Sequence, residues 1–113
     1  MTEFSEEDAK LVTLAKAARG RIQAVEGAAL RDTTGRTYAS ANVDFPTLKL
    51  SAVHIVVAQA FASGATGIEA VVVCADSSHG REEEAALVWS MPSSTGPVYF
   101  VSPAGELIET FIA

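Results

Sequence analysis

At 113 residues the chain has the length of one ordinary domain, which leaves no room for a second core. Its 49% apolar and 19% charged composition supplies enough apolar surface to offset ordering entropy, so a disordered chain is excluded. Eight basic against fourteen acidic residues give a formal charge of −6, which on average repels nucleic-acid backbones and anionic membranes and argues against both as partners.

Ser5, followed by Glu6, Glu7 and Asp8, has the chemistry of a helix start: a hydroxyl to cap free N–H groups and negative charge at the positive dipole end. Leu11, Leu14, Ala15, Ala18 and Ile22 then share one helical face, and Gly20 is a plausible stop. Val25 to Arg31 and Arg36 to Val43 flank Asp32-Thr33-Thr34-Gly35, a turn with a glycine free to take positive φ, which reads as a β-hairpin. Asn42 to Pro46 read as a connector, because proline lacks an N–H and biases the residue before it away from helix.

Leu48 to Ser63 is apolar or small almost throughout and predicts a buried central helix with little solvated face. Ile68 to Ala75 is a valine-rich run suited to a strand covered on both faces. A polar loop from Asp76 to Gly80 leads to a helix over Arg81 to Ser90, and Pro92 to Pro97 break it. Val98 to Ser102 and Glu106 to Ile112 surround Pro103-Ala104-Gly105 and predict a second hairpin. The order α-β-β-α-β-α-β-β predicts an α/β fold of three layers, α/β/α, around a mixed five-stranded sheet.

Cys74 is the sole cysteine, so neither an internal disulfide nor a multi-cysteine zinc site can form, and a buried, inert thiol is expected. The N-terminus is acidic where a secretory signal is basic, and no apolar run approaches membrane-spanning length. A cytoplasmic location without membrane association is the expectation.

Three stretches, taken with the intervals between them, resemble the cytidine deaminase family. They are Gly27-Ala28-Ala29-Leu30, the Gly35 turn leading to Asn42-Val43-Asp44, and Val98-Tyr99-Phe100-Val101-Ser102-Pro103-Ala104-Gly105-Glu106. The chain is similar to small actinobacterial deaminase-like proteins. In the family an Asn-Val-Glu segment holds ribose; here Asn42 is kept and Asp44 replaces the longer glutamate. The resemblance thus implies a possible nucleoside ligand at Asn42 and Asp44, against the plainer reading that both cap a turn before the helix.

Deaminase chemistry needs zinc to acidify bound water and a carboxylate to move the proton. In the family, a zinc-binding cysteine and the catalytic glutamate lie two apart at the N-terminus of the central helix, and a P-C-x-x-C loop supplies two more cysteines. Counting without gaps from Asn42 puts Val53 and Ile55 at the first pair, and neither can serve. A one-residue slip offers His54, with Val56 then in the base position. The second motif falls on Ser78-His79-Gly80-Arg81-Glu82, so the alternative metal set is His54, His79 and Glu82. Against it stand a core role for His54 and a solvated helix start for the Glu82-Glu83-Glu84 run.

The family aromatic that packs on the pyrimidine is replaced by Ala24-Val25-Glu26, which weakens base binding and suggests a collapsed pocket. No G-x-S-x-G or phosphate-cradling glycine loop is present, and Ser51 with His54 one helical turn apart is weak evidence for hydrolysis beside a capping role for Ser51. The resemblance implies a protein without catalytic residues or cofactor that serves as a binding or assembly module, homo-oligomeric as a dimer or tetramer around its central helices. The alternatives are an active zinc-dependent deaminase of cytidine or deoxycytidine, and a metal-free nucleoside sensor.

Overall fold

The computed structural model describes residues 4–76 and 81–113. Helix α1 (Glu6–Arg21) begins as its sequence requires, with the Ser5 hydroxyl accepting the Asp8 N–H at 3.1 Å. Strands β1 (Glu26–Asp32) and β2 (Thr37–Ala41) form the first hairpin, and Gly35 takes the positive φ of 91° that its turn demands. Strand β5 (Ile68–Ala75), helix α3 (Arg81–Trp89) and strands β6 (Val98–Val101) and β7 (Leu107–Phe111) complete the main sheet and its cover.

The five-stranded sheet has the order β2-β1-β5-β6-β7. Only β5 and β6 run parallel, joined across α3, and the other neighbours are antiparallel, so the sheet is mixed as predicted. Strand alternation divides the core into two layers. Ala29, Ala70, Val72 and Cys74 pack under Leu11, Val12 and Ala15 of α1, while Ala28, Leu30, Val71 and Val73 face the second helical layer. That layer contributes Val53, Val56 and Ala60 with Ala85 and Val88. Cys74 is buried, as expected, and its thiol pKa is raised by desolvation.

The central helix differs from its sequence reading. Helix α2 spans Ala52–Ala62, and Leu48–Leu50 form instead a short strand, β4, paired antiparallel with β3 (Val43–Phe45) in a separate two-stranded ribbon. Pro46 and Thr47 make the turn, so the segment read as a connector is half of a hairpin. Ser51 resets the chain by capping the helix, its hydroxyl accepting the His54 N–H at 3.0 Å. The helix has two faces: Ala52, Val53, Val56, Val57 and Ala60 are buried, whereas His54, Ala58, Gln59 and Ala62 are exposed. Ile22 also departs from expectation, since it follows the last turn of α1 and is exposed.

Gly27, in the Gly-Ala-Ala-Leu segment, marks a close approach of α1 to β1: a Cβ there would collide with the Ala15 carbonyl and the Arg19 backbone. No described helix is long and apolar enough to cross a membrane.

Candidate functional site

The N-terminus of α2, the first residue of β1 and the first turn of α3 converge at one end of the sheet. The free Ala52 N–H of α2 is taken by the Glu26 side chain, whose Oε1 accepts it at 2.7 Å. Glu26 is fixed in turn by Asn42: the Asn42 Oδ1 accepts the Glu26 N–H at 3.1 Å, and the Asn42 N–H donates to the Glu26 carbonyl at 3.3 Å. Asn42 thereby extends the β1–β2 pairing by a side-chain bond and holds Glu26 under the helix.

These residues open on a cavity of about 280 Å³, at the small end of ligand-sized pockets. Val25, Val73, Ala75 and Phe100 supply apolar wall; Glu26, Asn42, Arg81 and Glu84 supply polar groups. The expected collapse of the pocket is therefore not found, and Phe100 of β6 provides an aromatic surface although the segment before Gly27 has none. The Arg81 guanidinium lies 5.5 Å from the Phe100 ring centre and donates to Glu109 Oε1 at 3.2 Å.

Glu84 is the unusual carboxyl. Burial, followed by the negative charge of Glu26, pushes its pKa up to about 8, while a hydrogen bond from the Ser51 hydroxyl opposes the rise and Glu83 adds to it. It is thus a neutral acid over much of the physiological range. The Ser51 hydroxyl also lies 2.6 Å from His54 Nδ1, so Ser51 joins the helix cap to the His54 ring.

The predicted pair Asn42 and Asp44 lines one groove, with Ile22, Val43 and Phe45, next to the cavity that Asn42 also reaches; Asp44 is exposed on β3, 4.0 Å from the Lys49 ammonium. Val53 is fully buried in the core and Ile55 is half-buried. Helix α2 starts at Ala52, so Val53 and Ile55, the two positions that the ungapped count gives, both lie in its first turn. His54 is exposed, not a core histidine, and Glu82 is exposed on α3; His79 lies outside the described residues.

Zinc requires three or four soft or borderline donors converging on one point. Among the described residues no group of three His, Cys, Asp or Glu side chains converges in that way, and at the α2 N-terminus Glu26 is already engaged by the helix. The described donors do not fit a zinc centre.

Sequence reasoning missed Glu26, Ser51 as a site residue, Arg81 and Glu84. Glu84 was hidden in an acidic run that is solvated only at Glu82 and Glu83; its position one turn before the buried Val88 was the available signal.

A family model described as cytidine deaminase-like matches residues 4–105. Among solved structures, cytidine deaminase from Burkholderia pseudomallei aligns with a TM-score of 0.75 at 22% identity, covering 99% of this chain and 93% of that one. Cytidine deaminase from Mycobacterium leprae aligns with a TM-score of 0.65 at 20% identity, covering 95% and 94% respectively. No curated protein sequence matches the chain. The two-layered packing on a β2-β1-β5-β6-β7 sheet and a match over nearly the whole length place this chain in the cytidine deaminase-like family.

Proposed function

We propose that this protein is a deaminase-like binding or assembly module that does not catalyse deamination. The observation that carries the reading is the start of α2: Val53 and Ile55, which the ungapped count puts at the family's thiolate and carboxylate, are aliphatic, and Val53 is sealed in the core. Valine offers zinc no ligand atom, and isoleucine cannot move a proton.

Assembly is supported by apolar surface beside the central helix. Phe45, Leu48 and Leu50 of the β3–β4 ribbon are exposed, and Ile55 of α2 is half-buried. Grouped apolar side chains of this size are more useful at an interface than in water. A homodimer or tetramer is the proposed state.

A second reading is favoured by the cavity itself. Lined by both Asn42 and Phe100, it has the mixed polar and aromatic character that a nucleoside requires, which supports a metal-free sensor. Asp44 would then contact ligand from the neighbouring groove, which it shares with Asn42.

Ammonia release from cytidine and deoxycytidine tests the main reading. No turnover above the heat-treated control is expected. Turnover with stoichiometric zinc, both lost on His79→Ala, would establish the atypical zinc deaminase instead.

A further inference from the structure

The main sheet ends on one side at β2, whose outer edge meets no other strand among the described residues. The β1–β2 ladder is bonded at the Glu26–Asn42 and Asp32–Arg36 positions, where the Asn42 N–H donates to the Glu26 carbonyl at 3.3 Å and the Asp32 N–H to the Arg36 carbonyl at 2.8 Å. Antiparallel pairs alternate between bonded and non-bonded, so the N–H and C=O groups of Thr37, Ala39 and Ala41 point away from β1. Among the described residues only the Ala41 carbonyl finds a partner there, the Ser40 hydroxyl at 2.9 Å. A row of backbone groups left open in this way is a template for another strand.

Beside that edge runs a groove of about 220 Å³ between β2 and the end of α1, lined by Ala18, Arg21 and Ile22 on one side and by Ala39 and Ala41 on the other. It shares Ile22, Asn42 and Val43 with the groove that Val25 and Phe45 also line, so the edge and that apolar surface are continuous. Ile22, Val25 and Phe45 are each at least 60% exposed. A stable dimer needs roughly 800 Å² from each partner, about an eighth of the 6099 Å² surface of this chain. A five-residue edge about 17 Å long falls short of that, and the adjoining apolar strip belongs to the same contact.

We propose that β2 pairs antiparallel with β2 of a second copy, about a two-fold axis at Ala39, joining the two sheets into one. This rests on the reading of the chain as an assembly module and names the strand through which it assembles. Charge selects a second copy as the occupant. Strand β2 has no charged residue, and from Thr37 to Ile68 the chain has one carboxylate, Asp44, and one ammonium, Lys49, so its formal charge of −6 lies elsewhere. Two acidic copies repel least when they meet through this stretch.

The pairing is also self-complementary. Ala39 meets Ala39 and Thr37 meets Ala41, all small side chains that let the backbones close. Arg21 is the one charged residue lining the groove beside Ala41. In the pair, the two Ala41 residues are offset by the Thr37-to-Ala41 length, about 13 Å, beyond the screening length of about 10 Å at 0.1 M salt. The opposite edge, β7, is disfavoured, because its central residue is Glu109 and a two-fold there sets two carboxylates opposite each other.

Sedimentation equilibrium on the full chain tests the pairing, with circular dichroism to confirm that each variant folds. Ala39→Pro removes an edge N–H and leaves the β1 ladder intact, because that N–H points away from β1. It is expected to halve the mass of the oligomer, to the 11.8 kDa monomer if the wild type is a dimer. Ala39→Cys gives a second readout that does not depend on tolerance of proline. The native Cys74 is buried, so the introduced thiol is the reactive one, and a short bis-maleimide should convert most of the protein into covalent dimer. The same reagent on Thr110→Cys, at an exposed position of β7, should leave single chains.

An unchanged mass in folded Ala39→Pro, or equal cross-linking from Ala39→Cys and Thr110→Cys, would overturn the β2 pairing. If that oligomer still falls apart on Phe45→Ser with Leu48→Ser, the assembly reading stands without it. A monomer at every concentration would overturn both, and would leave the edge to an extended segment of another protein.

Discussion

At the scale of single residues, Asp32 shows how a buried charge is held by the polar groups around it. Asp32 is completely buried, yet its Oδ1 accepts from the Thr34 and Arg36 N–H groups and the Thr34 hydroxyl, and its Oδ2 from Arg36 Nε. Burial alone would raise its pKa, but these bonds outweigh burial and bring it down to about 2. Its stabilisation is therefore present above pH 3.8 and is lost as pH falls toward 2. Asp32→Ala should cost roughly 2–4 kcal/mol in a denaturant melt at pH 7, since it strands the buried donors of the turn. A loss within experimental error of zero would show that the turn holds itself.

Asp8 teaches a related lesson. From sequence it is one of three acids at a helix start, but its carboxylate crosses the molecule to Arg31 at 2.9 Å and to the Tyr99 hydroxyl at 2.9 Å. Burial and then the Asp8 bond push the Tyr99 phenol up to about 12. The cap by Ser5 was legible because it is local; the partners of Asp8 were not, because they lie 23 and 91 residues away.

At the scale of elements, hydrophobic period served well where burial is one-sided or complete. The α1 stripe, the doubly covered β5 run and the two main hairpins were all legible. The stretch from Val43 to Ser63 was not, because an apolar run does not distinguish a short ribbon strand from helix. The turn at Pro46 and the cap at Ser51 are what divide it. That error lengthened the helix and turned an exposed His54 into a core residue.

Two predictions belong here. Gly27→Ala should destabilise the fold by roughly 1–3 kcal/mol or more, because β1 and α1 are already in backbone contact. Chemical denaturation measures it, and an unchanged midpoint would refute the close approach. If the β3–β4 ribbon takes part in assembly, Phe45→Ser with Leu48→Ser should shift the chain from oligomer to the 11.8 kDa monomer in sedimentation equilibrium. An unaltered oligomer would place the interface elsewhere.

At the scale of the whole molecule, the sheet, the layers and the family were legible because they rest on elements repeated along the entire chain. The site was only half legible. Asn42, read from its segment as a ligand residue, lines the cavity; Glu26 and Glu84 were not singled out, because they come together only once β1 and α3 meet at the head of α2. Core packing and site chemistry are carried by different residues, so one framework can host different site groups.

The most direct test is anomalous diffraction at the zinc edge from crystals soaked in zinc chloride. The account predicts no anomalous peak between the start of α2 and the start of α3, with Glu26 still bonded to the Ala52 N–H. A fully occupied peak there, held by His79 and Glu82 or by Glu84, would contradict it.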